Sequence, residues 1–278
     1  MRSDTWRTVG TDRSPPVPRV GQWQHGGVPA LRTSDPLAPL SELPGVPEAV
    51  ARARDALVVV HNHTVNRRGW PATAAEAALR AARASAALDG APLEPARDEH
   101  ITDPVLAGAV RVADESSKLL GVWKGSPLQA LARLHMLAAT DLVPVERHDA
   151  ELGRPRGGPD VSARLSLLAD LVTGGTSAPA PVLVAVVHGE LLALAPFGSA
   201  DGVVARAAAR LTAVAAGLDP KNLAVPEVGH LRRSAEYRKA AGGFAEGTAE
   251  GVRAWILHCC AEWEAGAREG VSIADARA

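Results

Sequence analysis

Apolar residues recur at intervals of three and four along most of the chain, and that spacing predicts helices. "PEAVARARDALVVVHNH", from Pro47, opens with proline at a first-turn position and continues through good helix formers. "PATAAEAALRAARASAAL" follows, with a stop expected at Asp89-Gly90. "DPVLAGAVRVADESSKLL" and "SPLQALARLHMLAAT" start with Asp-Pro and Ser-Pro, pairs suited to an N-cap and first turn. "VSARLSLLADLVTG", "APVLVAVVHGELLAL", "GVVARAAARLTAVAAGL" and "GVRAWILHCCAEWEAGARE" predict four more helices. The second of these is β-branched, but its length and 3.6 spacing favour a buried helix over a strand. Residues 141–160 are polar and broken by Pro and Gly, where a short flap or hairpin-like insertion is expected. The class is all-α.

Upstream of Pro47 no period holds. "SPPVP", "QHGG" and "LPGVP" punctuate residues 1–46, which read as an irregular Pro/Gly-rich arm, with Trp6, Trp23 and Leu40 large enough to pin it to the body. Residues 47–278 read as a single domain.

Composition narrows the function. A 46% hydrophobic and 22% charged chain can bury a sizeable core. Its formal net charge of −1 argues against a nucleic-acid or anionic-membrane partner. No run reaches the length of a membrane span, and "MRSDTWRTVG" has no apolar leader segment, so a cytoplasmic protein is expected. Lysine is scarce among the 30 cations while Ala and Gly abound, which suggests a bacterial genome rich in G and C. Cys259 and Cys260 are adjacent on a helix and read as core thiols.

The chemistry-bearing stretch is "LAPFGSADGVVARAAAR", residues 194–210. A helix, a small-residue loop and a second helix N-terminus form the geometry of an anion cradle. Asp201 reads as the N-cap of the second helix, with Gly202 permitting the turn.

This loop and its flanks resemble the Fic (Fido-domain) family, most of whose enzymes transfer AMP from ATP to a protein hydroxyl. The family loop H-P-F-x-x-G-N-G-R-x-x-R aligns without a gap on Ala195-Pro196-Phe197-Gly198-Ser199-Ala200-Asp201-Gly202-Val203-Val204-Ala205-Arg206. Ala185, His188 and Leu191 match the helix before it. "LARLHMLA" resembles the family's Leu-His helix, "LGRPRGG" its Gly…Arg flap, and "EYRKAAGGFAEGTAEGVRAWILHCCAEW" its C-terminal run. "SAALDG", from Ser85 through Asp89 to Gly90, resembles the inhibitory motif Ser/Thr-x-x-x-Glu-Gly/Asn. The resemblance spans residues 75–265.

The departures decide what the resemblance implies. Ala195 stands where the family has its catalytic histidine, the general base, so no catalytic residue is expected. Gly198 replaces the acid that holds Mg²⁺, Asp201 replaces the asparagine, and Val203 replaces the first arginine. Pro196, Phe197, Gly198, Ser199, Asp201, Gly202 and Arg206 remain as the candidate anion or nucleotide loop. By the family's inhibitory logic, Asp89 pairs with Arg206, and Ser85 reads as a helix-packing hydroxyl. The expectation is a pseudoenzyme that binds a protein partner, a small anion or a second copy of itself, with no cofactor and no metal. The alternative is a protein nucleotidyltransferase using ATP and Mg²⁺ with displaced residues, Asp201 or His188 as base.

The remaining histidines read plainly. His61 and His63 in "HNH" lie two apart on a helix and face different ways, against a metal site. His135 and His188 sit on apolar faces as core histidines. His258 beside the cysteines has ligand chemistry but no second cluster in the sequence.

Overall fold

The computed structural model describes residues 35–92 and 101–278, all within one compact unit, Ser34–Ala278. Trp6, Trp23 and most of the expected arm lie outside the described residues. Among the described residues the elements are α1 (Ala38–Ser41), α2 (Val46–Asn62), α3 (Trp70–Leu88), α4 (Pro104–Gly125), α5 (Pro127–Ala139), α6 (His148–Glu151), α7 (Gly158–Asp170), α8 (Ala180–Leu194), α9 (Asp201–Ala215), α10 (Pro226–Arg232), α11 (Ser234–Ala245) and α12 (Ala249–Asp275). No strand is formed among them.

Proline opens five of the longer helices near the expected points, because its missing N–H falls where no helical acceptor exists. Asp103 caps α4 by accepting from the Leu106 N–H at 2.8 Å. Ser126 precedes α5, but its hydroxyl makes no capping bond.

The α8–α9 hairpin is the spine. Pro181 to Gly189 of α8 are all buried, so this helix is apolar on every side. One core cluster joins α8 and α9 to α4, α5 and α7, through Trp123, Leu134, Phe197 and Val204. A second joins α8 to α2, α11 and α12, through Leu57, Trp255 and Ile256. Leu40 packs against both, and Asp35 ties the start of the described chain to Thr176 and Ser177 at 2.7 Å.

Two regions depart from expectation. Residues 141–160 form no hairpin. They fold as a 3-10 turn (Val145–Arg147), the one-turn α6 and a loop. His148 completes the turn by donating from Nε2 to the Val143 carbonyl at 2.9 Å. Residues 219–250 lie between two predicted helices and carry no helix prediction, yet they contain α10 and α11. Both depend on close contact with α12. A Cβ on Gly266 would lie 2.5 Å from the Pro226 nitrogen, and one on Gly251 would lie 2.0 Å from the Gly243 carbonyl oxygen. Glycines therefore let short helices lie directly on the long one.

The close approach of α4 and α5 is testable. A Cβ on Gly108 of α4 would sit 2.1 Å from the Ala138 carbonyl oxygen of α5. Gly108→Ala is expected to cost about 3 kcal/mol through overpacking, lowering the Tm by roughly 6–10 °C. Thermal unfolding followed at 222 nm checks this, and an unchanged Tm contradicts the close approach.

Candidate functional site

The loop at residues 195–200 reverses the chain between α8 and α9, using three left-handed residues. Ala195 has φ 40°, Gly198 φ 73° and Ala200 φ 52°. Ala200, not Asp201, occupies the N-cap position. Asp201 is the first residue of α9 and turns its carboxylate back over the loop, where Oδ1 accepts from the Phe197 N–H at 2.9 Å. Burial raises the proton affinity of that carboxyl, and the Phe197 and Gly198 amides act the other way.

Gly202 does not make the turn, since its φ is ordinary. It is required because the Asp89 carboxylate sits on it: a Cβ there would lie 2.5 Å from both carboxylate oxygens. Asp89 is the C-cap of α3 and meets Arg206 Nη2 at 2.8 Å through Oδ2. The ion pair expected from sequence is formed.

Arg206 is only 3% exposed, and its donors are shared between two other elements, α3 with its C-cap and α11. Nε donates to Ser85 Oγ at 2.8 Å and Nη2 to the Ser85 carbonyl at 2.9 Å. Nη1 donates to the Tyr237 hydroxyl at 3.3 Å. Ser85 is therefore an arginine ligand through two oxygens, not merely a packing hydroxyl. Tyr237 also meets His188 Nε2 at 2.9 Å, and burial pushes its hydroxyl up to about 12. His188 is enclosed, and burial, aided by the Arg206 charge, holds it neutral.

The opposite wall is His135. Its ring stacks on Phe197, with centroids 4.3 Å apart and planes 6° apart. The Gly153 N–H donates to Nδ1 at 2.9 Å, so the neutral ring carries its proton on Nε2 and donates it to Ser199 Oγ at 3.0 Å. Burial, then the Arg156 charge, lowers its proton affinity to about 4. A histidine donating to a serine cannot serve as that serine's base.

The "GRPRGG" segment lies against the loop. Arg156 donates its backbone N–H to the Pro196 carbonyl at 2.6 Å and pairs with Glu151. Its guanidinium sits beside Gly198, where a Cβ would approach Nη1 to 3.2 Å.

No protein-family model and no curated protein matches the sequence. The structure is similar to the crystal structure of a Fic family protein from Desulfovibrio desulfuricans G20, with a TM-score of 0.66 and 20% identity over 82% of this chain and 74% of that one. The fold is Fic-like.

The residues outside the Fic-like loop also find partners. His61 meets Asp219 at 2.9 Å and His63 meets Asp275 at 3.0 Å, so the two diverge as their spacing implies. Cys259 and Cys260 are buried free thiols. His258 is not isolated, however: the fold brings it beside His230 and Glu262. The one trace of this cluster in the sequence is the one-turn spacing of His258 and Glu262. The contacts of Tyr237 with Arg206, of His135 with Ser199 and of Arg156 with Pro196 were not legible in the sequence, because each joins elements distant in the chain.

Acidification tests the His135 assignment. A buried histidine held at about 4 takes no proton in the folded state between about pH 6.5 and 4, while the unfolded chain does. Stability is therefore present above pH 6.5 and is lost as pH falls through that window. His135→Gln is expected to lose about 1–2 kcal/mol less than the wild type between pH 7 and pH 4.5. Denaturant titrations at the two pH values measure the difference; identical losses contradict the assignment.

Proposed function

We propose that this Fic-fold chain does not transfer nucleotides and acts as a cytoplasmic binding or regulatory module for a protein partner. One observation carries the reading: the groups that would receive an anion already hold carboxylates of the same chain. Asp201 accepts from the Phe197 amide, and Asp89 pairs with Arg206 while lying over Gly202.

The residues present do not suit a magnesium nucleotide. A polyphosphate would have to displace Asp201 from the loop and Asp89 from the start of α9, against like charge. Ala195 offers no proton acceptor and Gly198 no metal-binding oxygen. General acid–base chemistry alone is worth about 10²–10⁴-fold in rate. The displaced-base alternative finds no support either. His188 is enclosed against Tyr237, His135 donates rather than accepts at Ser199, and Asp201 is engaged by backbone amides. The flap and the exposed Ala195 leave a surface suited to docking a protein, or a second copy, rather than to chemistry.

Calorimetric titration of ATP, ADP and GTP, with and without Mg²⁺, tests the reading on the wild type and on Asp89→Ala. No binding at millimolar nucleotide is expected for either, and no label transfer from ATP to any protein. Asp89→Ala is also expected to be less stable by about 1–2 kcal/mol, the cost of unpairing Arg206 reduced by the partial exposure of Asp89. Nucleotide binding by the wild type would overturn the proposal. Binding by the variant alone would make Asp89 an inhibitory plug over a working cradle, which is equally contrary to it.

A further inference from the structure

We propose that His230, His258 and Glu262 form a binding site for a divalent transition metal of the zinc class, clasping α10 to α12 behind the loop arginine. It involves none of the loop residues, so it stands or falls independently of the binding-module reading.

The geometry comes first. His258 and Glu262 lie one turn apart on α12, and His230 reaches them from α10. One ligand atom from each lies within 4.8 Å of the others, and His230 Nδ1 is 3.1 Å from His258 Nε2. Two imidazole nitrogens on one tetrahedral zinc, each at about 2.0–2.1 Å, are roughly 3.3 Å apart. The histidine pair therefore already stands near a coordination edge, and small side-chain rotations bring in the carboxylate.

The carboxylate supplies independent support. Glu262 is 0% exposed, and neither of its oxygens has an aligned hydrogen-bond donor among the described residues. Arg233 Nη2 forms an ion pair with Oε1 at 2.5 Å, while no hydrogen-bond donor reaches Oε2 among the described residues. A buried, half-compensated carboxylate is costly unless something satisfies it. The space it occupies is reserved: a Cβ on Gly229 would meet Glu262 Oε2 at 1.8 Å. Arg233 is 42% exposed, so its guanidinium can keep solvent contact while a doubly charged ion shares Glu262 with it.

His230 Nδ1 and His258 Nε2 share a hydrogen bond, so one ring changes tautomer when both nitrogens ligate an ion. Their rings are held by aromatic packing. His230 lies 4.6 Å from Tyr237 and 5.3 Å from His188, and His258 stacks on Trp255 at 6.0 Å, centroid to centroid. Two imidazoles and one carboxylate select zinc, cobalt or nickel over magnesium or calcium, and leave a fourth position for water.

A consequence follows for the loop. Tyr237 touches both His230 and Arg206, so an ion that fixes His230 also restricts the hydroxyl that satisfies the loop arginine.

The test uses the full chain, stripped with chelator and desalted, then titrated with ZnCl₂, CoCl₂ and MgCl₂. One zinc per chain is expected by elemental analysis, with a Tm rise of about 5 °C or more at excess zinc and none with magnesium. Cobalt is expected to give the intense visible bands of a tetrahedral nitrogen–oxygen site, without the near-ultraviolet charge-transfer band of thiolate ligation. Glu262→Gln and His258→Gln should weaken zinc affinity about tenfold or more. Absence of zinc binding by the wild type at about 100 μM overturns the proposal. So does a thiolate band, which would assign the ion to Cys259 or Cys260. Undiminished affinity in folded Glu262→Gln does so as well. Because cobalt spectroscopy reads the wild type directly, a variant that fails to fold leaves that arm decisive.

Discussion

A guanidinium enclosed at the middle of a helical bundle must have its donors matched, and Arg206 sets that requirement for the whole molecule. A buried charge without partners costs several kcal/mol. The partners come from everywhere. Ser85 and Asp89 bring the end of α3, Tyr237 brings α11, and Gly202 gives Asp89 room at the start of α9. Residues more than a hundred positions apart are thus held in one arrangement by the hydrogen-bonding needs of a single side chain.

The loop above Arg206 follows the same logic. Helix N-termini and turned amides attract negative charge, and Asp201 and Asp89 supply it from within the chain. The shape of an anion cradle is kept while its electrostatic demand is met internally. His135, stacked on Phe197 and donating to Ser199, holds the other side in one tautomer, and the Arg156 backbone closes over Pro196. The result is a loop whose turned amides and buried arginine are engaged by groups of the same chain.

Behind it, the polar network continues through Tyr237 to His188 and His230, and on to His258, Glu262 and Arg233. A line of buried polar groups in a core otherwise apolar is expensive to maintain. Its continuity from the loop arginine to the edge of α12 makes the two halves of the bundle mechanically dependent on each other.

Much of this was legible in the sequence. The apolar run of Pro181–Gly189 determines a buried helix wherever it is placed, and proline before an apolar period determines where α2, α3, α4 and α5 begin. The loop between α8 and α9 and the Asp89–Arg206 pair followed from residue identities set against a resembling motif. Other features were not legible: α10 and α11, the helical turns in place of a hairpin, Ser85 as an arginine ligand, and the His230–His258–Glu262 group. Local periodicity and capping are properties of neighbours in the chain, so sequence determines them. Which polar groups meet depends on how close two helices can come, and glycines 229, 251 and 266 settled that only once α12 lay against α10 and α11.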